Sequence, residues 1–373
     1  MKKQVFSKAI RSSLSATALL LLCGTLQIES SAAPEFATTF KANGLHQPQI
    51  AVANDGNTIY LAAANESGAY CLKSTDGGKS FEKPVTAISL PGMPLGKRRG
   101  PRISCTDDSI VMTVTYDDVY AVRSTDGGKS WSKAVKLNSS ARSAEEGLHG
   151  MSALPDGTVF VVWQDGRNGN QIWGARSNDG GATWSKDEKI YASPSGTVCA
   201  CCHPSVALGS DHSINVMFRN SKNGSRDLYL AIRKAKDKSF GDALKLGDES
   251  WQLNACPMDG GSLALAANGD VATAWQSKGS VYRCTLSHDK KVQTEKLGEG
   301  KQPVVFWDKK EPVEIWQNGK DLVMKRGTKP SFVLGEGSFP SVASMPKSQK
   351  VFLAWESPDN KSIEVAVLNN RSK

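Results

Sequence analysis

Soft donor atoms crowd one stretch of this chain. Cys199, Cys201, Cys202 and His203 fall within the run Cys-Ala-Cys-Cys-His-Pro. Cys256 and Met258 form a Cys-x-Met pair, and His149 and Met151 a His-x-Met pair. Thiolates, thioethers and imidazoles together suit Cu(I), and to a lesser degree zinc. The spacing is not that of a zinc finger, so a closed tetrahedral structural site is not expected. The same thiols could do thiol redox work, or could simply pair as disulfides in an oxidising compartment. In the last case Cys256 would tie to one of the Cys199–Cys202 group. Cys71, Cys105 and Cys284 lie in or beside apolar strands and read as small buried hydrophobes.

These donors are far apart along the chain, so the fold must gather them. One eight-residue signature occurs three times, at Ser74–Phe81, Ser124–Trp131 and Ser177–Trp184. Ser and Asp side chains can hydrogen-bond nearby amides and stand in for a turn. The Gly pair supplies positive φ without steric cost, and the closing aromatic can plug the turn from below. A second element recurs seven times: a strand beginning after Pro or Gly, as in Pro48-Gln-Ile-Ala, Pro101-Arg-Ile-Ser and Pro204-Ser-Val-Ala. A second strand follows each, most ending in an aromatic or a polar residue, as in Trp163-Gln164 and Phe218-Arg219. No sustained helical period appears. Short alternating strands at a fixed spacing predict an all-β fold, a seven-bladed β-propeller of four-stranded blades. The last blade lacks an outer strand, and Glu35 to Phe40 is expected to supply it and remove the exposed edges.

In such a ring the entrance to each first strand and the loop between strands two and three share one face. The signature hairpins, lying between strands three and four, take the other. The soft donors therefore converge at one channel mouth, with Arg98, Arg99, Arg102, Glu145 and Glu146 on neighbouring entrances. The 2–3 loops add Asp117, Asp118, Asp165, Arg167, Arg219 and Arg226.

The repeated signature resembles the Asp-box, S-x-D-x-G-x-x-W, of the sialidase-like BNR-repeat propellers, and the resemblance covers essentially the whole chain beyond its N-terminal leader. Gly147–Met151, Cys199–Ala207 and Asn254–Gly261 resemble stretches of an exported bacterial branch with a Cys-x-Cys-Cys-His-Pro motif. The sialidase resemblance implies a six-bladed ring as the alternative architecture and exo-sialidase chemistry on sialoglycans as the alternative function. On that reading Arg99, Arg102 and Arg219, with Arg226, would bind a carboxylate, Asp117 or Asp118 would act as acid, and Glu145 or Glu146 would activate Tyr116 or Tyr282 as the nucleophile. Gly100-Pro101-Arg102-Ile103 is similar to the family's Arg-Ile-Pro motif, but Ser104 replaces its Pro and the motif falls in the second blade. A third alternative is a protein-binding scaffold, since a fold does not settle function.

Residues 1–32 have a basic start, an apolar stretch around Leu19–Leu22 and small residues at Ser30–Ala32, the pattern of a signal peptide cleaved near Ala32. The expectation is a periplasmic or secreted protein with residues 33–373 as a single propeller domain. Leu22 argues against lipidation of Cys23, because a small residue is needed there. Loss of the leader removes four basic residues and Glu29 and lowers the formal net charge from +9 to +6. A mildly basic surface suits a small anionic ligand, a glycan or an acidic protein partner at the mouth. No Lys/Arg run marks a nucleic-acid binder, and no transmembrane segment is expected in the mature chain.

Overall fold

The computed structural model describes residues 38–287, 291–345 and 350–369. The leader assigned to residues 1–32 lies outside them. The described residues form seven four-stranded antiparallel sheets and no α-helix. Blade one holds β2 (His46–Val52), β3 (Ile59–Asn65), β4 (Gly68–Ser74) and β5 (Val85–Ser89), after β1 (Thr38–Asn43). Blade two holds β6 (Arg102–Cys105), β7 (Ile110–Tyr116), β8 (Asp118–Ser124) and β9 (Val135–Lys136). Blade three holds β10 (His149–Ala153), β11 (Val159–Asp165), β12 (Gln171–Ser177) and β13 (Glu188–Tyr191). Blade four holds β14 (Ser205–Leu208), β15 (Ile214–Arg219), β16 (Leu228–Arg233) and β17 (Leu244–Lys245). Blade five holds β18 (Ser262–Leu265), β19 (Val271–Ser277), β20 (Ser280–Leu286) and β21 (Val292–Glu299). Blade six holds β22 (Lys301–Asp308), β23 (Glu311–Asn318), β24 (Asp321–Arg326) and β25 (Phe332–Glu336). Blade seven holds β26 (Ser338–Met345), β27 (Lys350–Glu356) and β28 (Ser362–Asn369).

First strands contact first strands around a closed circle, from β2 through β6, β10, β14, β18, β22 and β26 back to β2. Seven blades, not six, make the ring. β1 pairs antiparallel with β28 and completes blade seven. The completing strand thus runs a few residues later than Glu35 to Phe40, because Phe40 opposes Val365 and Asn43 opposes Ser362.

The core lies between blades. Ile103 and Met112 of blade two pack against Tyr60 and Ala62 of blade one, and Met217 and Leu230 of blade four against Leu263 and Trp275 of blade five. Second strands are therefore covered on both faces and read as unbroken apolar runs rather than alternating ones, as in Ile59–Ala64 and Val159–Trp163.

All three repeated hairpins close in the same way. The Ser74 hydroxyl donates to Asp76 (2.8 Å) and accepts from Gly78 N–H (2.9 Å), while Asp76 accepts from the amides of Lys79 and Ser80. Ser124 and Ser177 repeat the pattern with Asp126 and Asp179. Gly77 and Gly78 take φ of 73° and 84°, which a side chain would resist. The turns bond to the 1–2 turns, as where Ser109 donates to the Gly180 carbonyl (2.9 Å). They occupy the face away from the first-strand entrances.

Candidate functional site

Three of the eight candidate donors come together. The sulfurs of Cys199, Cys201 and Cys202 are separated by 3.6, 3.7 and 3.9 Å, and all three side chains are buried. They sit on a tight turn at the entrance to β14, where the Cys202 amide donates to the Cys199 carbonyl and the Cys199 amide to the Arg219 carbonyl. Met258, from the entrance to blade five, packs against the cluster of the three cysteines.

The separations are well beyond the S–S bond of about 2.05 Å, and no cysteine among the described residues is bridged. The expected disulfide from Cys256 does not form: Cys256 is exposed and unpaired. Nor does it join the three-sulfur group. Cys71, Cys105 and Cys284 are free as well, with Cys71 and Cys284 buried.

His203 is turned away from the sulfurs. Its Nε2 bonds the Gly261 carbonyl (2.9 Å) and its Nδ1 accepts from Gly260 N–H (3.3 Å), so both ring nitrogens are committed to blade five. His149 lies on β10, with Nε2 on the Thr113 hydroxyl (3.0 Å) and a buried Nδ1 that has no partner. Met151 sits nearby, its sulfur 3.9 Å from the same hydroxyl. Burial and the positive field of Arg102 hold His149 well below the ordinary histidine range, so it is neutral at pH 7.

The thiols are protonated in the absence of a ligand. Burial pushes Cys202 up to about 12. For Cys199 and Cys201 the sulfur–sulfur contacts act first, in both directions, and burial adds, leaving them at about 11 and about 12. Such thiols are poor nucleophiles.

The polar residues that end the second strands build the surroundings, a role the sequence pattern displayed without revealing. Gln164, one residue before the end of β11, donates its side-chain amide to the carbonyls of both Cys199 (2.6 Å) and Cys202. That amide ties the two ends of the thiol turn to blade three. Arg219, closing β15, donates to the carbonyls of Asp259, Arg226 and Gln276. Glu356, closing β27, accepts from Gln47 across the seam between blades seven and one.

The residues of the hydrolase reading are engaged in local hydrogen bonds, ion pairs and ring contacts. Arg102 is buried and spends its guanidinium on the carbonyls of Arg98, Gly100 and Pro101. Burial, with Arg98 beside it, lowers its pKa to about 9. Arg99 bonds the Glu146 carbonyl and lies 3.4 Å from its carboxylate. Asp117 pairs with Arg142 at 3.2 Å. Arg219 is completely buried. Tyr282 stacks on Trp275, away from the mouth.

Beside the thiol turn, a cavity of about 310 Å³ opens on the same face, lined by Arg142, Glu145, Glu146, Gln164, Arg167 and Asn170 among others. Among the described residues, no helix is long and apolar enough to cross a membrane.

The BNR/Asp-box repeat family matches residues 122–133, which span the second hairpin. No curated protein sequence matches the chain. Among solved structures the fold is similar to a PL25 polysaccharide lyase, an ulvan lyase bound to -[GlcA(1-4)Rha3S]-. The TM-score is 0.55 and the identity 12%, over 90% of this chain and 95% of that one. The polysaccharide lyase Uly1 gives a TM-score of 0.55 at 10% identity, over 88% and 91%. An arginine-to-alanine triple mutant of AofleA from Arthrobotrys oligospora gives 0.50 at 12%, over 80% and 91%. At these identities the likeness is one of fold. The protein is a seven-bladed β-propeller that carries a BNR/Asp-box repeat at residues 122–133.

Proposed function

We propose that this propeller binds a soft metal ion, Cu(I) foremost, through Cys199, Cys201 and Cys202. The sulfur triangle carries the reading. Sides of 3.6, 3.7 and 3.9 Å put its centre about 2.2 Å from each corner, close to the metal–thiolate bond of about 2.3 Å known for zinc. Three thiolates with a thioether alongside form a soft donor set that favours Cu(I) over a hard or tetrahedral ion. Metal binding displaces the thiol protons, so affinity rises with pH. The raised thiol pKa values weigh against a nucleophilic or redox role for the unligated thiols.

Titration of reduced protein with Cu(I) under a competing chelator tests this. The expected result is one ion per chain with sulfur-only or sulfur-dominated coordination by X-ray absorption, and loss of tight binding in Cys201→Ser. A reduced wild-type protein that takes up neither Cu(I) nor zinc overturns the reading.

A glycan ligand is the second reading. It draws on the fold shared with polysaccharide lyases and on the polar cavity beside Gln164. Oligosaccharide turnover that survives Cys201→Ser would promote it.

A further inference from the structure

A second cavity, of about 510 Å³, opens on the mouth face between blades seven and one. Its size falls within the roughly 300–1,000 Å³ of small-molecule sites. Glu356 at the end of β27, His46 at the start of β2, and Asn65, Glu66 and Ser67 at the turn after β3 line it, with Leu95 as an apolar wall. The lining holds two carboxylates and no lysine or arginine. It is an anionic pocket in a chain whose net charge is positive.

Glu356 is 5% exposed and forms no ion pair among the described residues. Gln47 anchors it, with the backbone amide (2.7 Å) and the side-chain amide (2.8 Å) both donating to Oε1. Oε2 receives no hydrogen bond among the described residues and is not sealed from solvent. Gln47 is itself fixed. It takes a left-handed φ of 53°, and Gly100 of the blade-two entrance lies so near that an added Cβ would fall 2.1 Å from the Gln47 Cβ. Arg98, the cation whose field reaches Glu356, spends its guanidinium on Gln302 and the Pro340 carbonyl. A buried carboxylate held by one oxygen alone is short of donors, and a donor arriving at the other oxygen relieves that cost.

We propose that Glu356 Oε2 receives an organic ammonium group, so that this cavity binds a small polar amine such as an amino sugar or a polyamine. A bare metal ion fits less well. Among the described residues only the three clustered cysteines bring three ligand atoms within 4.8 Å of one another, so Glu356, Glu66 and His46 stand too far apart to share one ion. A molecule can span them, its ammonium on Glu356 and its other polar groups on Glu66, Asn65 or Ser67. Charge-assisted hydrogen bonds are about twice as strong as neutral ones, which favours an ammonium over a hydroxyl. The inference stands apart from the thiol turn and does not rest on the metal reading.

Glu356→Gln separates recognition from support, because its amide oxygen keeps both Gln47 bonds and only the charge at the other position is lost. Calorimetric titration compares glucosamine, putrescine and neutral glucose on wild type and E356Q, with melting temperatures measured in parallel. The expected result is that at least one amine binds wild type and that glucose binds about tenfold more weakly or not at all. E356Q should lose about tenfold in amine affinity while melting as wild type does. The tighter of the two amines tells whether a sugar or a plain polyamine carries the ammonium. Failure of both amines to bind wild type, or glucose binding as tightly as the better amine, overturns the inference. So does an E356Q that binds amines as wild type does, which would leave Glu356 a clamp for Gln47. Should E356Q fail to fold, Glu66→Gln, at an exposed position, replaces it: a severalfold loss of amine affinity supports the inference and an unchanged affinity overturns it.

Discussion

Gly260 lies against the backbone of His203 so closely that a Cβ added to it would fall 1.7 Å from the His203 carbonyl oxygen. The contact joins the entrances of blades four and five at the point where Met258 reaches the three cysteines. With the His203 ring bonded to Gly260 and Gly261, it makes one unit of two loops more than fifty residues apart in sequence. Gly260→Ala must push the backbones apart. We predict a loss of about 3 kcal/mol, the range for overpacking against immovable atoms, and weakened metal uptake. Denaturant unfolding checks the first and chelator competition the second.

Gln164 acts on the thiols only through the carbonyls of Cys199 and Cys202. Gln164→Leu keeps the bulk and removes the donor. Groups that orient metal ligands typically account for 10–100-fold in affinity. A fall of about tenfold in Cu(I) affinity is expected, with unchanged stoichiometry. An unchanged affinity would mean that the turn holds its shape without this amide.

Cys256 is exposed, whereas the three clustered thiols are buried. In reduced protein it should be alkylated first and on its own. Cys256→Ser should leave metal stoichiometry and affinity as in wild type. Mass spectrometry of partially alkylated protein reads the first outcome, and a titration of the variant the second.

The hairpin carboxylates give a pH signature. Asp126 is held well below the ordinary carboxylate range by the Ser130 hydroxyl and by backbone amides. At Asp179, partial burial acts upward but hydrogen bonds from Thr183 and Ser177 prevail and bring it to about 2. A depressed carboxylate binds its proton more readily in the unfolded chain. Its contribution is complete above the unfolded value of about 3.9 and is lost as pH falls through the folded value. Asp179→Asn should therefore lower the melting temperature at pH 6, and the gap from wild type should narrow as pH falls from about 4 to about 2. A gap independent of pH would assign the loss to hydrogen-bond geometry alone.

The ring was legible because its signals are local and repeated. Ser, Asp and paired Gly close a hairpin by short-range hydrogen bonds, and the Pro- or Gly-led strands recur seven times. The site was legible in part. Cys199, Cys201 and Cys202 share one turn, so their meeting is a local matter. The direction of His203 is not, because Gly260 and Gly261 of the next blade decide it. Cys256 faces solvent two residues from Met258, a choice made by the loop backbone, in which Met258 takes a φ of 55°. Gln164 and Arg219 were visible as polar ends of apolar strands. Their partners belong to other blades, and pairwise contacts of that kind leave no spacing in a single sequence.

The pairing of Thr38–Asn43 with the final strand has a consequence for biosynthesis. The first segment of the ring to emerge from the ribosome waits for the last, and until then the sheet at the junction keeps a bare hydrogen-bonding edge. A chain truncated before Ser362 would leave that segment without its mate, so translation must pass the Ser362–Asn369 strand before the circle can be sealed.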